Sequence, residues 1–212
     1  MATSGNPSLR RGVQIEIVSN IWMIIEAGVA IGSGIVAHSL ALAAFGTDSV
    51  IELVTGSVLL WRLTLHARGA RVEYVERAER VSSWVVGISL LVLAVYIIIA
   101  ALMKLVSHRG ADDSYLGLGL AVASGIIMPY LSRVKKRIGW EISSPALRSD
   151  GSCSMVCAYM SWILLAGLAL TSLYGWWWID SITALAMVYY VVKEGWEAVE
   201  VARGHEDGCH CG

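Results

Sequence analysis

The stretch Phe45–Arg62, FGTDSVIELVTGSVLLWR, decides the fold. It is apolar along almost its whole length and of the size that a helix needs to cross a bilayer, yet it carries Asp48 and Glu52 four residues apart. On a helix that spacing puts both carboxylates on one face. A charge at the centre of a bilayer costs about 3 kcal/mol on the mildest scale, and two like charges one turn apart repel. Protons, a basic partner or a metal ion must therefore neutralise the pair. No Lys or Arg is predicted at this depth, which leaves a metal ion that exchanges with protons.

Composition agrees with a membrane setting. Of 212 residues 56% are hydrophobic and 16% charged, and the mean hydropathy is +0.63, outside the range of an ordinary soluble domain. The net charge of −1 has no basic concentration that would suit nucleic acid. The first apolar run, from Val13, carries Glu16 and Glu26 and has no small-residue cleavage site behind it, so it is expected to be kept as a helix. The cysteines fall in two close pairs, Cys153 with Cys157 and Cys209 with Cys211, a pattern better suited to metal ligation than to a disulfide framework.

Six apolar segments are predicted, near 14–37, 40–63, 82–106, 115–133, 146–173 and 178–201. These define an all-α membrane protein: a tail over 1–12, a six-helix transmembrane domain over 13–203 and a Cys/His-rich tail over 204–212. Pro129 is expected to bend the fourth helix. Arg62, Arg68, Arg71, Arg77 and Arg80 fill one connection and Arg133, Lys135, Lys136, Arg137 and Arg148 another, while the alternate connections are nearly bare. The positive-inside rule then places both termini in the cytoplasm, in a multi-pass protein of the plasma (inner) membrane. Trp176, Trp177 and Trp178 fall at the outer interface, and Trp61, Trp140 and Trp196 at the inner one. About ten residues follow the sixth segment, which is too few for a folded domain.

The fifth segment places Asp150, Cys153 and Cys157 at i, i+3 and i+7, one helical stripe. Counted from the inner ends of the two helices at about 1.5 Å per residue, Glu52, Cys153 and Cys157 all lie roughly 12–18 Å deep, with Asp48 somewhat higher. Two carboxylates and two thiolates make a tetrahedral set suited to zinc and, because thiolate is soft, to cadmium. Such ligands take up protons when the metal leaves. Asp150 is either a fifth candidate ligand or the cap of its helix. Glu26, mid-way along the first helix, is a candidate proton carrier or point of metal access, and Asp180, after three tryptophans, is expected as an N-cap. In the tail, His205, Cys209, His210 and Cys211 form a candidate metal-collecting cluster.

These motifs carry a resemblance. Asp48-Ser-Val-Ile-Glu52 resembles the DxxxD-type motif on the second helix of the cation diffusion facilitator, or cation efflux, family. Cys153 and Cys157 resemble that family's HxxxD motif on the fifth helix with both ligand positions replaced by cysteine. GWWWIDSITALAMVYYVVKEGWEAV is similar to the family's sixth helix, with an acid, Asp180, at its outer start. The likeness covers roughly residues 13–201 and implies a homodimeric, proton-coupled exporter of divalent metal that works by alternating access. Two departures stand out: the chain resembles short members without the C-terminal metallochaperone-like domain, and its second-helix acids are Asp and Glu rather than two Asp.

The expected function is accordingly a secondary transporter that exports zinc or a similar soft divalent cation in exchange for protons, with no prosthetic group. The alternative is a metal sensor or partner subunit that uses the same site structurally, without transport. An enzyme is not expected, because no activated nucleophile, phosphate loop or open catalytic metal triad is identifiable.

Overall fold

The computed structural model describes residues 7–67, 73–108 and 110–203. They form six α-helices: α1 (Pro7–Val36), α2 (Leu40–Ala67), α3 (Glu73–Val106), α4 (Tyr115–Glu141), α5 (Pro145–Tyr174) and α6 (Ile179–Ala202). There is no strand among the described residues. Five spans, Ser8–Val36, Leu40–Thr64, Gly87–Val106, Tyr115–Glu141 and Ala146–Tyr174, are long and apolar enough to cross a bilayer. The sixth helix has 24 residues but carries Asp180, Lys193, Glu194, Glu197 and Glu200, which break its apolar run.

The helices are turned inside out relative to a soluble bundle. On α1 the buried stripe contains Glu16, Ser19, Asn20, Met23, Glu26, Ala27 and Ala30, whereas Ile17, Val18, Ile21, Ile24 and Ile25 are exposed. Polar groups face inward at helical spacing and large aliphatics face out, as a lipid solvent demands. Phe45, Leu42, Met128, Met160, Leu164 and Met187 fill the interior. The closest partnerships are α1 with α2, α4 with α5 and α3 with α6; α4 also lies along α1, and α2 and α5 both touch α6.

Local chemistry sets the ends. Ser144 is the N-cap of α5, with Pro145 at the first helical position and its side chain accepting from the Leu147 amide at 3.4 Å. Ser114 caps α4 in the same way. Gly175, at φ 62°, ends α5 with its amide on the Thr171 carbonyl. Where α1 and α2 cross, a Cβ on Gly46 would lie 2.8 Å from the backbone nitrogen of Ile31, so only glycine fits.

Several predicted boundaries are corrected. Residues 7–12 are not a tail: α1 starts at Pro7, because Gly12 is buried against Ile138, Ile142 and Leu147 and the extra turns have something to pack on. α3 begins at Glu73, a helical extension ahead of its apolar segment, whereas α4 continues past 133 to Glu141, running through Pro129 without a break. The reason for the latter is that Lys135, Ile138 and Gly139 continue the buried face of Ala121, Ser124, Met128 and Ser132.

Candidate functional site

Four helices converge on one buried polar cluster. α2 supplies Asp48 and Glu52, 3% and 6% exposed, and between them Ser49. α1 supplies Glu26, α4 Ser124 and α5 Cys157, all essentially inaccessible. Glu26 is the best-connected of the acids. Its Oε1 accepts from Ser49 Oγ at 3.0 Å and from Cys157 Sγ at 3.6 Å, and its Oε2 accepts from Ser124 Oγ at 2.8 Å. Glu52 is its opposite: both of its oxygens are buried and, among the described residues, neither receives a hydrogen bond of normal geometry, although the Cys157 thiol lies close by. Such groups are costly in a protein interior until a proton or cation reaches them. Asp48, Glu26 and Glu52 lie close enough to interact electrostatically with one another and with Cys157.

The residues singled out in the sequence are thus only partly assembled. Asp48, Glu52, Cys157 and Glu26 share one cluster. Cys153 is half-buried one turn nearer the start of α5, and neither cysteine is in a disulfide. Among the described residues no three His, Cys, Asp or Glu side chains form a ready metal cage, and the Cys157 thiol is engaged with Glu26. The cluster of His205, Cys209, His210 and Cys211 lies outside the described residues.

The expectation that no Lys or Arg shares this depth does not hold. Lys135 is completely buried, with its ammonium 2.5 Å from Asp150 Oδ2 and 3.3 Å from Glu16 Oε2. Asp150 is therefore the partner of Lys135. The N-cap of its helix is Ser144. Lys135 also interacts electrostatically with Glu52. The signal was present in the sequence, since Lys135 falls three residues after Ser132 and seven after Met128 on the stripe that buries α4.

Asp180 is corrected as well. It sits in the first turn of α6 but caps a different helix. Its carboxylate accepts from Ser39 Oγ at 2.5 Å and from the Leu40 and Ala41 amides at 2.8 and 3.4 Å, so it closes the N-terminus of α2. Lys104 of α3 bridges Asp180 at 2.7 Å and donates to the His38 carbonyl at 2.7 Å, fastening the α1–α2 turn. A buried carboxylate seeks several donors, and α2 begins with amides to give and no acid of its own.

Apolar helices that turn Glu16, Glu26, Asp48, Glu52, Lys135 and Asp150 inward upon one another define an integral, multi-pass membrane protein. Residues 17–202 match the cation efflux transmembrane domain, and the chain belongs to that family of transporters. It is 29% identical over 171 residues to the uncharacterized transporter sll1263 of Synechocystis sp., covering 79% of this chain and 55% of the relative. It is 20% identical over 192 residues to the manganese efflux system protein MneS of Bacillus subtilis, covering 89% and 66%. It is 24% identical over 157 residues to transmembrane protein 163 of Xenopus laevis, covering 74% and 54%. The chain thus spans between 54% and 66% of the length of these three relatives.

Proposed function

We propose that this chain is a secondary transporter that carries a divalent transition-metal cation out of the cytoplasm in exchange for protons, by alternating access of a site between α2 and α5. The observation that carries this reading is the pair Asp48 and Glu52, buried one turn apart, with neither Glu52 oxygen receiving a hydrogen bond of normal geometry among the described residues. A divalent cation neutralises two carboxylates at once. When it leaves, protons on the same groups restore neutrality, so exchange follows from the requirement that the site stay uncharged.

Asp48, Glu52, Cys157 and Cys153 are the ligands in this reading, with the Cys157 thiol turning from Glu26 to the metal. Glu26, held by Ser49 and Ser124, then receives the displaced proton. The thiols favour zinc or cadmium over harder ions; the manganese in the name of the Bacillus relative points to the harder alternative. All six helices span the bilayer, both termini are cytoplasmic, and the working unit is a homodimer. The tail cluster of His205, Cys209, His210 and Cys211 collects metal on the cytoplasmic side.

Flux in proteoliposomes under an imposed proton gradient tests this. Wild type is expected to move zinc and cadmium, Asp48→Asn to stop both, and the double variant Cys153→Ser, Cys157→Ser to favour manganese over cadmium. Unchanged flux in Asp48→Asn refutes the reading.

A further inference from the structure

Tyrosine and tryptophan in a membrane protein belong at the two bilayer surfaces, where the polar tip of the ring reaches water. Tyr174, Trp176 and Trp178 stack in that way where α5 ends. A second aromatic group sits elsewhere. Tyr159 lies near the middle of the span Ala146–Tyr174 and is 41% exposed, and Tyr189, near the middle of α6, is 67% exposed. The rings form one continuous surface across the two helices: between centroids, Tyr159 meets Trp162 at 5.8 Å and Tyr190 at 6.1 Å, and Tyr190 meets Tyr189 at 5.2 Å. The Trp162 indole donates to the Gly125 carbonyl at 3.1 Å and fills the space that a Cβ on Gly125 would take, which anchors the patch to α4. The tyrosines have no such anchor. Among the described residues, none hydrogen-bonds the hydroxyl of Tyr159, Tyr189 or Tyr190.

About 15 Å of hydrocarbon lies on either side of the bilayer centre, farther than a tyrosine side chain reaches. Neither water nor a lipid headgroup can therefore serve a hydroxyl at that depth, and an unpaired hydroxyl in hydrocarbon is costly. We propose that Tyr159, Trp162, Tyr189 and Tyr190 form the face on which a second copy of this chain docks. A phenol hydroxyl both donates and accepts, so a patch of tyrosines is complementary to itself, as a two-fold contact between identical surfaces requires. Each copy then supplies the partners that the other lacks. Polar bonds of this kind hold helices together in lipid, where apolar surface alone gives no drive to associate, and stiff aromatic rings are the side chains that protein interfaces favour at their centres. The proposal gives a surface to the homodimer of the transport reading above. Its place in a working transporter rests on that reading; the association itself does not.

The test uses the purified full chain in liposomes, labelled at its N-terminus with donor and acceptor fluorophores, with energy transfer followed as the protein-to-lipid ratio falls. Wild type is expected to dimerise in a concentration-dependent way. The triple variant Tyr159→Phe, Tyr189→Phe, Tyr190→Phe keeps every ring and removes only the hydroxyls. It is expected to need about tenfold more protein per lipid to reach half-dimer, equivalent to about 1.4 kcal/mol. Crosslinking gives a second measurement that does not depend on that variant. With the four natural cysteines changed to serine, Tyr189→Cys is expected to form a disulfide-linked dimer on mild oxidation, and Ile21→Cys, on the exposed face of α1, is not. Equal dimerisation of wild type and the triple variant overturns the proposal, as does crosslinking through Ile21→Cys but not Tyr189→Cys. A wild type that stays monomeric at every ratio also overturns it, and assigns the face to a different membrane protein. Failure of the transport reading appears separately, as unchanged flux in Asp48→Asn.

Discussion

Among the described residues Lys135 is the one cation set among the buried acids of α1, α2 and α5, and replacing it with methionine removes that charge while keeping most of the side chain's volume. Its ammonium meets Asp150 at 2.5 Å and Glu16 at 3.3 Å with no exposure to solvent. At an effective dielectric of about 20 each contact contributes on the order of 5–7 kcal/mol of gross Coulomb attraction, most of it offset by the desolvation of the three ions. What remains when one partner of a buried pair is deleted is a loss of about 3–5 kcal/mol, because the remaining carboxylates are left uncompensated. Asp150→Asn is expected to cost less, about 1.5–3 kcal/mol, since one charged hydrogen bond is weakened while Glu16 still balances the ammonium. The triple variant Glu16→Gln, Lys135→Met, Asp150→Asn is expected to recover most of the loss. Unfolding of the full chain by increasing SDS in mixed micelles, followed by the fluorescence of its nine tryptophans, gives the three values. A cost for Lys135→Met no greater than that for Asp150→Asn refutes this account, for it would mean that Lys135 does not hold the two acids.

Two further outcomes follow from the packing. Asp180→Asn weakens the Lys104 bridge and the capping of α2, and is expected to lower stability by about 2–3 kcal/mol in the same SDS assay, with Lys104→Met showing a non-additive loss in the double variant. Gly46→Val puts side-chain atoms into the backbone of α1 at Ile31 and is expected to cost about 1–3 kcal/mol or more, whereas valine at Gly32, which has open space around it, is expected to be nearly neutral.

The helix count and the Asp48–Glu52 pair were legible because each rests on local sequence: apolar run length for one, four-residue spacing for the other. Cys157 lies in the same cluster, with its thiol donating to Glu26. Lys135 was missed because a charge at the end of an apolar run looks like a boundary, and only burial against α1 and α5 keeps the helix going through it. Ser49, Ser124 and Glu16 are ordinary residues in sequence; their importance comes from neighbours on other helices. Asp180 was correctly suspected of capping, but the helix it caps lies about 140 positions away, beyond the reach of any local pattern.

That same bond bears on how the protein is made. A chain synthesised from its N-terminus delivers α2 to the membrane long before Asp180 exists. Until then the amides of Leu40 and Ala41 and the Lys104 ammonium have no carboxylate to meet. The first turn of α2, which begins the helix bearing Asp48 and Glu52, is completed only when α6 arrives. α6 is thus the helix that locks the second, and a chain cut short before Ile179 would leave α2 without its lock.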